Sequence, residues 1–264
     1  MMLYQRHCSE RDINDLIATA PESDALLLDQ FVRFSTRVKS IASPSARFID
    51  AWAVEQAGKP STPFVWRATT ARRLIATNAL KRVRQGAPIL DAVRAEIDEH
   101  LALGVRGETR GGSLGQWLSY LPQADLGIVC AEAVNWTTAL IETQHMLGDA
   151  ATPADADAYF NVSGAKTTLR ARRDFTIGEG ADRVIVRVRS GVPGKTAGAG
   201  LRTDLFIHAL AHNEFAVPRR FIGLWPDAGI ALAVDGTLDN LRAGARDIVR
   251  VCETNRRHQL QEVA

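Results

Sequence analysis

The sequence lacks most of the features that mark secreted, membrane-spanning or metal-clustered proteins. It has three cysteines, Cys8, Cys130 and Cys252. They lie far apart and form no CxxC pair, which excludes a zinc ribbon and points to unpaired thiols in a reducing compartment. Long apolar runs are absent too. Stretches such as 25–28 and 126–131 fall far short of the roughly 20 residues that a helical membrane span needs, so no membrane partner is expected. The opening segment, MMLYQRHCSERD, carries charge where a signal peptide has its apolar core. It reads against secretion and for a cytoplasmic protein. Internal repeats and low-complexity tracts are missing, and the net charge is only +2.

What is present is an ordinary globular composition, 46% hydrophobic and 23% charged over 264 residues. That length allows one large domain or two small ones with a proper core. The charge is unevenly spread. Residues 166–220 hold eleven Lys or Arg against five Asp or Glu, an excess of six that leaves the rest of the chain slightly acidic. A local basic surface is the electrostatic footprint of a polyanion binder, and equally of an arginine-rich solvated surface.

The texture changes along the chain. Apolar residues recur at helical spacing in 13–20, 23–40, 47–57, 70–84, 90–103, 114–120 and 124–147, so the region 1–150 reads as mainly helical. Residues 148–157 read as a linker or surface loop. Beyond it the period shortens to two. Residues 167–177 and 183–189 read as an antiparallel hairpin, 190–200 as a Gly/Pro-rich loop, 201–215 as a helix, 221–225 and 229–234 as a strand pair, and 237–257 as a closing helix. The expectation is an α/β protein with a helical region (1–150) and a strand-containing core (151–264), folded together as one compact unit around a small mixed sheet.

The order strand, turn, strand, Gly-rich loop, helix, strand, strand resembles the core of the PD-(D/E)XK nuclease superfamily. The likeness is greatest to its RecB-like branch, and it covers roughly residues 160–255. In that branch the second strand ends in an acid-x-Lys-Thr-Gly pattern, and a Gln-Leu-x-x-Tyr-Ala helix follows the loop. Here the strand end reads Val-Arg187-Val-Arg189-Ser190-Gly191, the helix carries Asp204-Leu205-Phe206-Ile207-His208-Ala209, and Val217-Pro218-Arg219-Arg220 precedes the next strand. The resemblance implies that one acid on each of the first two strands would hold Mg²⁺ and that the lysine would serve the attacking water. Asp174 can fill the first acidic place. The second acid and the lysine are replaced by Arg187 and Arg189, and His208 stands where a tyrosine is common.

One carboxylate beside two guanidiniums is a poor Mg²⁺ site, because the ion needs several oxygens and nearby cations oppose it. Without it a phosphodiesterase loses its charge neutralisation and its activated water, and arginine cannot act as a base. No cofactor is therefore expected. Arginine does grip phosphate through paired hydrogen bonds. Arg183, Arg187 and Arg189 share one strand face by period two, and Arg170, Arg172, Lys195, Arg202 and His208 extend the candidate nucleic-acid surface. Two other readings stay open. The arginines can instead cover the solvent face of an edge strand, or catalysis can persist through Asp174, Arg187, Arg189 and Asp204, with Glu179 and Asp182 as further displaced acids and Mg²⁺ as cofactor. The resemblance implies a catalytically degenerate protein that binds DNA, or scaffolds a helicase or nuclease subunit, in DNA repair or anti-phage defence. The alternatives are an active metal-dependent deoxyribonuclease and a protein–protein scaffold with no nucleic-acid role.

Several weaker signals remain. Gly194-Lys195-Thr196 after a strand invites a P-loop reading, but Arg189 stands where the leading glycine belongs, and Ala-Gly-Ala-Gly follows where a helix should start. Asp204, His208 and His212 line one helical face, as a metal or acid–base pair or as a helix-surface histidine. Cys8 and Cys252 resemble the outer ligands of iron–sulfur RecB-like nucleases, yet one late cysteine where three are needed excludes a four-ligand cluster. All three thiols read as small buried hydrophobes. Arg67, Arg72, Arg73, Lys81, Arg82 and Arg84 give helix 70–84 a basic face that either tracks a nucleic-acid backbone or is simply a charged outer face. The five tryptophans are spread out and read as core.

Overall fold

The computed structural model describes residues 3–7, 9–21, 34, 37–38, 47–56, 66–106, 113–154, 157–162, 167–211 and 217–263. They fall into two compact units, Ser61–Met146 and the remainder, Met1–Pro60 with Leu147–Ala264. A single break near residue 150 is thus not where the chain divides. Met1–Pro60 belongs with the C-terminal part because the strand β1 (Leu3–His7) pairs antiparallel with β9 (Ile230–Asp235).

The larger unit is α/β. Its main sheet has six strands in the order β1-β9-β8-β7-β6-β3, where β3 is Ala151–Pro153, β6 Phe175–Ile177, β7 Val184–Val188 and β8 Arg220–Trp225. The sheet is mixed. β7 and β8 run parallel and every other pair antiparallel. Parallel neighbours need a crossover, and here it is the helix α7 (Ala197–Ala211). A second sheet, β2-β5-β4, joins Arg47–Ile49, Thr167–Ala171 and Ala158–Asn161. The helices α1 (Glu10–Ala18), α2 (Ala51–Glu55) and α8 (Leu238–Val263) complete this unit.

Sequence explains the layering. The β7 segment VIVRV is buried at every position, as a central strand covered on both faces requires. α7 is buried on nearly every side, with Thr203, Asp204 and His208 buried among its small and apolar residues. Ile185, Leu201, Leu205, Phe206 and Phe221 share one core. Gly229 takes φ 63°, the left-handed geometry that closes the β8–β9 turn, where a side chain would be strained.

The smaller unit is helical: α3 (Ala68–Arg84), α4 (Ile89–Val105), α5 (Leu114–Ser119) and α6 (Gln123–Leu147), the last residue of α6 lying past its boundary. Ile75, Val93, Leu118 and Val129 form its core. α3 starts at Ala68, with the Thr70 hydroxyl accepting from the Arg67 N–H at 2.9 Å. The arginines of α3 are largely engaged within the unit. Arg72 pairs with Glu132 at 2.6 Å and lies over the Trp136 ring, and Arg82 pairs with Glu96 at 2.7 Å.

Four local expectations are corrected. Within the expected helix 47–57, Arg47–Ile49 is a strand and Ala51–Glu55 a short helix, because Asp50 breaks the run and caps α2 by accepting from the Ala53 N–H. Residues 167–177 are two strands in different sheets, parted at 172–174. The span 148–157 contributes β3. The Gly-rich 190–200 stretch is loop only as far as Thr196, since Ala197 and Gly198 already belong to α7. The expected helix 23–40 lies mostly outside the described residues. Among the described residues, no helix is long and apolar enough to cross a membrane.

Candidate functional site

The residues singled out in sequence converge where β6, β7, α2 and α7 meet. Asp174 precedes β6. Its N–H donates to the Val186 carbonyl, and its carboxylate accepts from the Val188 N–H at 2.7 Å. The register thereby sets Asp174 beside Arg187, so the first acid and the Arg187-x-Arg189 pair stand together as the spacing predicts.

Arg187 points beneath α7 and donates to the Asp204 carboxylate. Both side chains are buried, at 8% and 0% exposure. Arg189, one step further along the same strand face, donates to Glu55 at the end of α2 at 2.8 Å, and its guanidinium lies 5.0 Å over the Trp225 ring. Gly200 makes room for Glu55: a Cβ there would stand 1.9 Å from the Glu55 Oε1. At the other end of α2, Asp50 accepts from Arg170 at 2.6 Å. One short helix therefore neutralises two arginines, one from each sheet. Glu55 and Asp50 escaped the sequence reading because residues 47–57 read there as an uninterrupted helix outside the resemblance.

The protonation equilibria follow from this geometry. Burial pushes Asp204 up to about 6 even though Arg187 and Arg189 pull it down. Burial also disfavours the Arg187 charge, but the carboxylates of Asp204, Asp174 and Glu55 outweigh it and leave Arg187 more firmly protonated than usual. The cost of burying the pair therefore falls on the aspartate. Asp50 goes the other way: burial opposes its charge, yet Arg170 and the Ala53 N–H hold it below the ordinary aspartate range. Among the described residues of this cluster, four polar atoms remain buried without a hydrogen-bond partner, two donors, Arg187 Nε and Arg189 Nη1, and two acceptors, Glu55 Oε1 and Asp204 Oδ1.

The other predicted residues are placed less uniformly. Arg183 is buried, and Arg202 pairs with Asp247 of α8 at 3.4 Å. Arg172 is half-buried and Lys195 exposed. Glu179 and Asp182 are exposed at the β6–β7 turn, away from the Arg187 cluster. β7 lies between β6 and β8, so these arginines do not cover the solvent face of an edge strand. Asp204 and His208 do share a face of α7, but both are fully buried, and the His208 ring packs at a tilt against Phe221, with centroids 5.6 Å apart. His208 is thus a core residue of the crossover helix, and His212 lies outside the described residues. Cys252 is buried and Cys130 half-buried, whereas Cys8 lies outside the described residues. Trp52 is 55% exposed, against the expectation that the tryptophans pack inside.

A divalent cation fits this arrangement poorly. Among the described residues no group of three His, Cys, Asp or Glu side chains is placed to hold a metal ion. Of the nearby carboxylates, Asp204 and Glu55 each hold a guanidinium, and Asp174 accepts a backbone N–H from β7. The Arg187 and Arg189 guanidiniums beside those carboxylates oppose the approach of Mg²⁺. Comparison with known family models, curated proteins and solved structures finds no match.

Proposed function

We propose that this chain is a catalytically degenerate nuclease-fold protein, of the RecB-like PD-(D/E)XK type, that serves as a DNA-binding or scaffolding accessory subunit in DNA repair or anti-phage defence. One observation carries the reading. The two positions at which the resemblance calls for a metal-binding acid and a lysine hold Arg187 and Arg189, and both guanidiniums are ion-paired to acids of the same chain. The order β6, turn, β7, loop, α7, β8, β9 supports it as well, with Asp174 beside Arg187. Guanidiniums at these places repel Mg²⁺, which supports loss of cutting, and their pairing with Asp204 and Glu55 beneath the chain's own helices favours the scaffolding side of the reading over phosphate holding at this cluster.

The test is a paired assay on the purified chain: binding of labelled DNA across a salt series, and cleavage of the same DNA with Mg²⁺ or Mn²⁺. Binding that weakens steeply with salt, without cleavage, is the expected result. Metal-dependent cleavage lost in Asp174→Ala would make the protein a nuclease and overturn the reading. Absence of both activities would remove DNA as a ligand and leave the scaffolding role.

A further inference from the structure

We propose that the outward face of α3, with Arg67, Lys81 and Arg84 along it, is the surface on which this chain holds DNA by its phosphates. This rests on the DNA-binding reading and assigns the ligand to the helical unit rather than to the Arg187 cluster.

The charge of α3 is one-sided. Its 17 residues, Ala68–Arg84, hold five Lys or Arg and no Asp or Glu. Two of the five are matched within the unit: Arg72 pairs with Glu132 at 2.6 Å, and Arg82 with Glu96 at 2.7 Å and Glu99 at 2.9 Å. The rest of the helix differs. Arg67, Thr70, Leu74 and Lys81 are all exposed, and steps of three, four and seven residues set them in one row along the helix. Arg84, in the next turn, is exposed as well and donates to the uncharged amide of Gln144 at 3.4 Å. No acid occupies that row, and among the described residues no salt bridge engages Arg67 or Lys81.

Arg67 separates a ligand-facing charge from a fold-serving one. It is the N-cap of α3, and no acid follows it in the first turn. The start of a helix carries positive partial charge, so a cation there weakens the helix, and caps are ordinarily Ser, Thr, Asp or Asn. Lys81 and Arg84 suit their end of the helix by the same rule. Arg67 does not, and its charge adds to the helix end in attracting phosphate. Its backbone is nevertheless held firmly. Trp66 stacks on Trp117 of α5 with centroids 6.3 Å apart, and the Arg67 N–H donates to the Thr70 hydroxyl at 2.9 Å.

Charge complementarity commits this face to an extended polyanion. Arg67 and Lys81 stand about 21 Å apart along the helix axis, a length over which duplex DNA carries about a dozen phosphates. Each of the three cations can therefore meet a phosphate without any element of the fold moving.

The experiment follows the anisotropy of a labelled duplex, and of the matching single strand, against the full chain over a salt series. Three proteins are compared: wild type, Arg67→Gln/Lys81→Gln/Arg84→Gln, and a control, Arg94→Gln/Arg242→Gln/Arg246→Gln, that loses the same charge at other exposed arginines. Gln keeps the helix propensity of Arg and Lys. Loss of three phosphate contacts should flatten the dependence of log K on log salt by about 2.7 for duplex and about 2.1 for single strands, and weaken duplex binding roughly a hundredfold at physiological salt. The control should bind as wild type does. Wild-type affinity and slope in the α3 variant, or an equal loss in the control, would overturn the surface and leave DNA binding standing. No binding by wild type would overturn both. Polyglutamate that displaces the labelled DNA as readily as unlabelled DNA does would overturn the nucleic-acid ligand. Arg67→Gln alone covers a folding effect. It should weaken duplex binding about fivefold while hydrogen exchange in α3 stays unchanged or slows, and faster exchange there would show that Arg67 serves the helix instead.

Discussion

Replacing Arg187 by methionine separates a buried structural arginine from a solvent-reaching one. The guanidinium is buried against the carboxylate of Asp204, itself without solvent exposure. Methionine keeps most of the side-chain volume but strands that carboxylate. Removing one partner of a buried pair costs roughly 3–5 kcal/mol, whereas losing an exposed arginine costs less than about 1 kcal/mol. The second substitution, Asp204→Leu in the same chain, removes the orphaned charge and should recover most of the loss, because an apolar pair of similar volume replaces an ion pair at little cost. The penalty should also depend on pH. Since burial pushes Asp204 up to about 6, the aspartate is mostly neutral at pH 5, and methionine should cost less there than at pH 8. The assay is native-state hydrogen exchange at the β7 amides of 184–188, which reports opening of this sheet without requiring both units to unfold together. A loss below about 1 kcal/mol at pH 8, or a double variant no better than the single one, would refute the buried pairing.

Further outcomes follow from the same geometry. With Asp204 pushed up to about 6 from an ordinary 3.8, its contribution to stability is fully present below about pH 4 and is lost as pH rises through 6. The stability of wild type relative to Asp204→Asn should therefore fall by about 2 kcal/mol between pH 4 and pH 7, read by hydrogen exchange at β7 across that range; a gap independent of pH would contradict it. Arg220 is buried, donates to Asp235 at 2.5 Å, and also binds the Leu16 carbonyl and the Thr19 hydroxyl at the end of α1. Arg220→Met should cost roughly 3–5 kcal/mol and speed exchange in α1 as well as β8, whereas a change confined to β8 would show that the contact to α1 is dispensable.

Much of the C-terminal part is legible in the sequence because its signals are local. Period two marks β7 to β9, Pro226-Asp227-Ala228 marks the turn between the last two strands, and the spacing of Asp174 from Arg187 matches their juxtaposition. What sequence misses depends on pairing across long separations. β1 looks like a charged terminus, yet its partner β9 lies near the opposite end of the chain, and only that partner makes it a strand. β2 is concealed for the same reason, since it pairs with the remote β5, and with it went Asp50 and Glu55. Residue type alone marks the arginines as donors facing a ligand. Their burial against Asp204 and Glu55 is a tertiary fact, and Asp204 was legible only as a helix position. The expected helical half was recognised in its helices and misjudged in its boundary, because Met1–Pro60 carries few strand signals of its own.

The claim that guanidiniums fill the place of a metal is tested most directly by Mn²⁺ binding, followed by electron paramagnetic resonance on wild type and on Arg187→Asp/Arg189→Lys. The expected result is no saturable site in wild type and one site per chain in the double variant, lost again when Asp174→Ala is added. One Mn²⁺ bound by wild type and released by Asp174→Ala would contradict it, and would return the metal, with its chemistry, to Asp174.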